Sequence, residues 1–317
     1  MKKMNSIRKH LESQNFDPEI CHPYRTLNHK DRYQCLDQAV ASFEKGKTIK
    51  FLDVITREEW QYFCEHTTAV GRVLINMMPA IWQVPSRIKV IEHFLFFDYL
   101  DELVDYSKTA VQFHRQITDQ QTRCFCAVGG GDYDRANLVQ SLYALGFDQD
   151  MALYHTASEQ THSQSDPWQL NPDLHSLPPR QLEPYHRWDF MANVAVLSSH
   201  VKQTDLELVV PNRFPHDPNQ ITEKDLLSVV TGVPAYRMYS ASLRSIWQEL
   251  GMRYTGTTTD RPTAETLEWL SLYHRLSRSQ RQRWQDQQGP EVAHNHRQFQ
   301  KWPALMYDRY LESVRRS

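Results

Sequence analysis

The chain has 317 residues, with 36 Lys and Arg against 38 Asp and Glu, and a formal net charge of -2. Aromatic residues make up 11% of the sequence, which is too many for a disordered chain. The near-neutral charge makes nucleic acid an unlikely partner. No apolar run is long enough to span a membrane, and Met1–Asn5 opens a polar segment rather than a secretory signal. We therefore expect a soluble, cytoplasmic protein.

The cysteine content agrees with an intracellular protein. The five cysteines are odd in number and widely spaced, which is not a disulfide framework. Only Cys124 and Cys126 lie close in sequence, and a lone Cys-x-Cys is a weak zinc signature. We expect most of these cysteines to be buried as small apolar side chains.

The first part of the chain reads mainly as helices. Apolar residues at helical spacing predict a helix over Asp31–Lys45, and Thr48–Ile55 alternates like a strand. Thr56–Glu59 has the pattern of a capping box and predicts the start of the next helix. A long helix is predicted to follow Pro85 and to reach Tyr106.

The pattern changes near residue 120. An apolar strand, Thr122–Val128, leads through three glycines into a helix over Tyr133–Leu145 that Gly146 closes. Further strands are predicted over residues 150–155, 190–200 and 206–210, the last two as an antiparallel pair. Helices are predicted over residues 222–230, 236–250, 262–288 and 291–315.

This order of elements predicts an α+β protein. We expect a helical N-terminal region (1–118), an α+β core (119–232) and a helical C-terminal region (233–317).

The core carries a resemblance to a known family. Counted from Asp132, an Ala, a Leu and a Gly stand four, ten and fourteen residues on, at Ala136, Leu142 and Gly146. This resembles the transglutaminase-like and protein-glutaminase-like branch of papain-fold cysteine enzymes, in which a Gly-Cys opens the core helix. The aromatic-rich stretch Trp188–Val196 is similar to that family's histidine strand. The resemblance implies a papain-like core, with a helix packed on an antiparallel sheet.

The catalytic residues depart from the family's pattern. The nucleophile position holds Asp132, the histidine position falls on Met191 and the acid position on Val210. Neither Asp nor Met supplies the thiolate and base that the chemistry needs. The resemblance therefore implies a catalytically degenerate protein without a cofactor. It would bind a protein or peptide through the former cleft, lined by these three residues with Asp134 and Asn193.

Two enzyme alternatives stay open. Cys126 with His186 and Asp217 would form a cysteine triad for an amide hydrolase or acyltransferase. Asp98, Asp101 and Glu102 resemble the acidic helix of class I terpene synthases, in which carboxylates hold Mg²⁺ ions against a diphosphate. The second motif of that family is missing, so the solvated face of an amphipathic helix is the favoured explanation of these carboxylates.

A local excess of basic residues marks the end of the sequence. From Arg275 onward there are nine Lys and Arg against four Asp and Glu, with Trp284, Phe299 and Trp302 among them. This segment predicts either a solvated helix face or a docking surface for an acidic partner.

Overall fold

The structure, a computed structural model, describes residues 19–21, 29–51, 55–92, 97–113, 115–118, 122–128, 133–147, 151–155, 190–211, 217–257 and 262–316. The strands are β1 Glu19–Cys21, β2 Ile49–Phe51, β3 Gly71–Ile75, β4 Ile88–Glu92, β5 Thr122–Val128, β6 Met151–His155, β7 Thr204–Val209 and β8 Ala235–Arg237. The helices are α1 His29–Glu44, α2 Arg57–His66, α3 Phe97–Ala110, α4 Tyr133–Ala144, α5 Phe190–Val201, α6 Glu223–Thr231, α7 Ala241–Glu249, α8 Pro262–His274, α9 Arg278–Phe299 and α10 Trp302–Arg316.

The strands form two parallel sheets. The first sheet has the order β1-β2-β3-β4, and each neighbouring pair runs parallel. The second has the order β6-β5-β7-β8 and is also parallel throughout. The chain leaves β5 towards β6 and then returns to the other side of β5 for β7. The second sheet is thus doubly wound, with its switch point between β5 and β7.

Helices cover both sheets because parallel strands need crossover connections. Trp60 and Phe63 on α2 pack with Phe43 and Phe51 in the core of the first sheet. On the second sheet, one face packs against α4 and α8 through Cys126, Leu142 and Leu208 with their neighbours. We call this the far-face core.

The opposite face of the second sheet belongs to a core that joins both sheets. Leu74 and Ile91 from the first sheet lie in one buried cluster with Phe125, Val209 and Trp302. We call this cluster the joint core. Helix α10 packs on β4, and α3 packs on α6, so that both helices connect the two halves of the molecule.

The mixture of helices and strands agrees with the predicted class in general terms, but three predictions are wrong. Residues 190–200 are helix α5 rather than a strand; Val194, Leu197 and Val201 are buried at helical spacing, and a short apolar run fits either element. The sheet of the core is parallel rather than antiparallel. The predicted long helix after Pro85 divides into β4 and α3, since Ile88–Glu92 pairs with β3.

The predicted regions also change in content. Region 1–118 contains the whole first sheet as well as helices. In the C-terminal region, β8 joins the second sheet beside β7, so the boundary near residue 232 cuts through this sheet.

The predictions of where two helices begin and end are confirmed. Helix α2 begins with the expected capping box, in which Thr56 and Glu59 bond each other's backbone N–H groups. Helix α4 ends as predicted, with Gly146 at a φ of +72°. Among the described residues no helix combines the length and apolar character needed to cross a membrane.

Candidate functional site at the carboxyl edges

The carboxyl edges of the two parallel sheets face each other. Asn219, in the segment after β7, donates to the carbonyl of Met77 after β3, at 2.8 Å. Its Oδ1 accepts from the backbone N–H of Ile55, which follows β2, at 3.2 Å. Asn219 is fully buried. Because these loops leave the carboxyl ends of their strands, their contact brings both edges to the same place.

A second set of bonds joins the loop after β3 to the start of α7. The indole N–H of Trp82 donates to Ser242 Oγ at 2.5 Å. The backbone N–H of Ser242, in the first turn of α7, donates to the carboxylate of Asp217 at 2.8 Å. The backbone carbonyl of Asp217 accepts from the N–H of Arg57, at the start of α2. Helix starts from both halves thus meet at this edge.

Helix α6 begins at the same edge, beside the switch point. Thr222 donates to Asp225 Oδ2 through its backbone N–H at 2.6 Å and its hydroxyl at 2.7 Å. These bonds fix the first turn of α6, whose N–H groups lack partners within the helix. Lys224 also lies in this first turn, where the helix dipole disfavours a cation. Glu223 and Asp225 lie in the same turn, where the helix dipole favours their negative charge.

A buried polar layer supports α6 from below. Glu207 on β7 accepts from the backbone N–H of Ser228 in α6, and burial raises its pKa well above the usual range despite the nearby charge of Arg237. Arg237 on β8 donates to Ser228 Oγ at 2.6 Å and lies over the Trp247 ring, 4.5 Å from its centroid. These contacts hold α6 against the sheet and so set the position of its first turn.

Tyr239, two residues past Arg237, extends this layer. It is buried and packs edge-on against Trp247. Burial is the main cause that raises the pKa of its hydroxyl, and the neighbouring charge of Asp225 adds to the shift. The phenol therefore stays protonated at physiological pH and acts as a neutral part of the support.

The predicted cysteine triad is not gathered at this edge. Cys126 lies within β5, fully buried in the far-face core with Leu208. Asp217 lies in the loop after β7, where its carboxylate accepts from Ser242. His186 lies outside the described residues. A nucleophile buried inside a strand is far from the helix N-terminus that activates a catalytic cysteine.

The residues predicted to line a cleft divide between the two faces of the second sheet. Met191 on α5 packs against the joint core, whereas Val210 after β7 belongs to the far-face core. Asn193 is buried on α5. Asp132 lies outside the described residues, and Asp134 lies in the first turn of α4. Met191 and Val210 therefore lie on opposite faces of the second sheet.

The predicted metal carboxylates lie on α3. Asp98 lies in the first turn of that helix, Asp101 is half-buried and Glu102 is exposed. Within the part of the chain that the structure describes, no three side chains of His, Cys, Asp or Glu come together as metal ligands.

An open groove of about 600 Å³ lies at the opposite edge of the second sheet. Its lining includes Arg115 and Arg278. Arg115 donates to the carbonyl of Thr204 at 3.0 Å, and Arg278 donates to that of Ile117 at 2.8 Å. These cations are thus engaged in holding α9 at the amino ends of the strands. The predicted docking of an acidic partner at the basic C-terminal helices stays a prediction.

Comparisons with protein-family models, curated proteins and solved structures find no match for this chain. They neither support nor oppose the resemblance to the transglutaminase-like branch.

Sequence reasoning missed the polar residues that join the two edges. Thr222 and Asp225 carry a detectable signal, since a Thr three residues before an acid is a capping pattern. Asn219 carries no such signal, because its partners are 142 and 164 residues away in sequence. Glu207 in an apolar strand resembles an ordinary outward-facing residue.

Proposed function

We propose that the protein binds a phosphate-bearing nucleotide at the carboxyl edge of the second sheet, near the first turn of α6. The observation that carries this proposal is the contact between the carboxyl edges of two parallel sheets, beside a topological switch point. In open parallel sheets, ligands bind outside the carboxyl ends of the strands at such a point. Helix starts there offer backbone N–H groups to phosphate oxygens.

The facing edges also favour a reaction between two ligands. A nucleotide-activated donor, such as a nucleotide sugar, would bind at the second sheet, and its acceptor would bind at the first. In this interpretation the protein is a group-transfer enzyme, and its two halves hold the reacting groups together at the shared edge. Holding two reactants in register is itself a large part of catalysis.

The transglutaminase-like interpretation predicts a different function, the binding of a protein or peptide in the former active-site cleft. The parallel sheets and the separation of Met191 from Val210 favour the edge site over that cleft. The two functions also differ in their ligands, so binding measurements distinguish them.

Lys224 tests the position of the nucleotide. UDP, GDP, CDP and ADP are titrated against the wild-type protein by calorimetry, and melting temperatures are recorded at saturating ligand. We expect at least one of them to bind and to raise the melting temperature, since a ligand at 100 times its Kd stabilises by about 2.7 kcal/mol. Lys224→Gln should weaken that binding about tenfold.

Lys202→Gln is the matched control, because Lys202 precedes β7 at the amino edge of the same sheet. It should bind the nucleotide like the wild type. The proposal fails if none of the four nucleotides stabilises the protein, or if both lysine variants weaken binding equally.

The transfer reaction has its own test. Nucleotide sugars of the bound base are incubated with the protein, and release of the free nucleoside diphosphate is followed over time. Slow release of the nucleoside diphosphate that is lost in Lys224→Gln would support transfer of the sugar, with water as the acceptor. Tight nucleotide binding without any release would leave the binding proposal standing and contradict the enzymatic one.

A further inference from the structure

Two cysteines are in contact at the edge of the first sheet. Cys21 is the last residue of β1, and Cys35 lies on α1, which packs against that strand. Their Sγ atoms are 3.4 Å apart. Cys21 is 1% exposed, whereas Cys35 is partly exposed, and both are free thiols.

We propose that Cys21 and Cys35 are a redox pair that forms a disulfide under oxidising conditions. A disulfide bond is about 2.05 Å long, so the sulfur atoms must approach each other by only about 1.4 Å. Rotation of the two side chains supplies a movement of this size. This proposal stands independently of nucleotide binding.

The other cysteines are poorly placed for oxidation. Cys124 and Cys126 are fully buried in the far-face core, away from any dissolved oxidant. Cys64 is buried too, and burial raises the pKa of its thiol to about 12. Since thiolates are the reactive species, Cys64 should react slowly.

The two members of the pair have different parts in the reaction. The hydrogen bond with Cys35, together with burial, raises the pKa of the Cys21 thiol far above its usual range. Cys35 therefore reacts first: its thiolate attacks one sulfur of oxidised glutathione and displaces glutathione thiolate. Cys21 then loses its proton and attacks the Cys35 sulfur of this mixed disulfide, releasing the second glutathione.

The overall exchange balances. Two protein S–H bonds and one glutathione S–S bond are broken, while one protein S–S bond and two glutathione S–H bonds are formed. The protein loses two electrons and two protons, and oxidised glutathione gains them. The contact between the two sulfur atoms compensates for the small fraction of Cys21 that is ionised to thiolate, because the second step is intramolecular.

The bond would close the loop between β1 and α1. Among the described strands, β1 lies at the edge of the first sheet and pairs with β2. A disulfide to α1 removes conformations from the unfolded chain and should raise the melting temperature. The oxidised protein should therefore be more heat-stable than the reduced one.

The experiment equilibrates the full-length protein in glutathione buffers of graded composition, from fully reduced to fully oxidised. Free thiols are then blocked with N-ethylmaleimide and the protein is digested with trypsin. Cleavage after Lys9, Arg25, Arg32 and Lys45 places Cys21 and Cys35 on separate peptides. We expect these two peptides to appear joined, two hydrogens lighter than their sum, and the oxidised protein to melt at a higher temperature.

Cys64→Ser is the matched control and should retain both the linked peptides and the rise in melting temperature. Cys35→Ser should lose the linked peptides and the rise in melting temperature. Its Cys21 should remain a thiol in oxidised buffer and carry the N-ethylmaleimide label. The proposal is overturned if N-ethylmaleimide still labels both Cys21 and Cys35 after equilibration in fully oxidised buffer. It is equally overturned if glutathione remains bound to Cys35 without transfer to Cys21.

Discussion

Two carboxylates on β7 are buried on the face of the second sheet that supports α6. Asp205 is fully buried and pairs with Arg281, whose Nε lies 3.3 Å from Asp205 Oδ2. Burial raises the pKa of Asp205 to about 6, even though Arg281 and Arg115 lower it. Glu207, two residues on, shares this direction of shift. The folded protein therefore retains protons that the unfolded chain releases, and this makes its stability depend on pH.

The sign of this dependence follows from linkage. An unfolded Asp ionises near pH 3.9, whereas folded Asp205 ionises near pH 6. Between these values the folded state binds more protons, so the contribution of Asp205 to the free energy of unfolding falls as pH rises. The free energies of unfolding of the wild type and of Asp205→Asn can be measured in urea across pH 4–8. The stability advantage of the wild type should shrink up to about pH 6 and then stay constant.

Asn219 supports a different prediction, because its amide satisfies backbone groups from two loops. Asn219→Ala leaves the carbonyl of Met77 and the N–H of Ile55 without these bonds. Each buried unsatisfied group costs about 1–3 kcal/mol, so unfolding in urea should show a loss of about 2–4 kcal/mol. Gln203→Ala removes an exposed amide and should change stability by less than about 0.5 kcal/mol. Equal losses in the two variants would contradict the bridging role of Asn219.

Elements were predictable where their signals are local. The capping box at Thr56 and the terminating Gly146 lie in sequence beside the helices they limit, and both predictions hold. Strand pairing depends on partners far apart in the chain, and β5 pairs with β7 across about 80 residues. The apolar run at residues 190–200 fits a strand or a buried helix, and only packing on the joint core decides for the helix. The edge site was missed for the same reason, since it is assembled from loops of distant strands.

Two of the glycines that terminate helices, Gly232 and Gly146, give a matched pair of tests. Gly232 ends α6 at a φ of +80°, and a Cβ there would lie 2.7 Å from the carbonyl oxygen of Gln112. Gly146 ends α4 at a φ of +72°, with no atom within 4 Å of such a Cβ. Gly146→Ala should cost only the left-handed backbone strain, about 1–2 kcal/mol. Gly232→Ala should cost at least about 1 kcal/mol more, as measured by thermal unfolding, because a backbone must also move.

At the scale of the whole molecule, the joint core makes the two sheets one structural unit. It contains residues from Leu74 in the first sheet to Tyr310 on α10, with Phe125 and Trp247 between them. An ion-pair network lies beside this core, since Arg309 on α10 pairs with Glu92 at the end of β4 and with Glu249 at the end of α7. We therefore expect a single cooperative unfolding transition in which both sheets melt together.

Substitution of Arg309 tests whether this ion-pair network helps to hold the two halves of the molecule together. Arg309→Gln leaves two partly buried carboxylates without their cation, and it weakens a bond to the carbonyl of Met78. Thermal and urea unfolding should show that the free energy of unfolding falls by about 2–4 kcal/mol. This is somewhat less than the loss expected when a fully buried ion pair is broken. Arg316→Gln breaks an exposed pair with Glu312 on the same helix and should cost less than about 1 kcal/mol. A similar small loss for both variants would mean that the network contributes little to holding α10.

The position of α10 also bears on the order of folding during synthesis. The N–H of Glu92 donates to Ser313 Oγ, across 221 residues of chain. When β4 leaves the ribosome, the helix that covers its apolar side has not yet been translated. The apolar face around Leu74 and Ile91 stays exposed through that interval, when chaperones bind such surfaces and aggregation begins. Contacts of such long range also slow folding, so the docking of α10 should be its last and rate-limiting step.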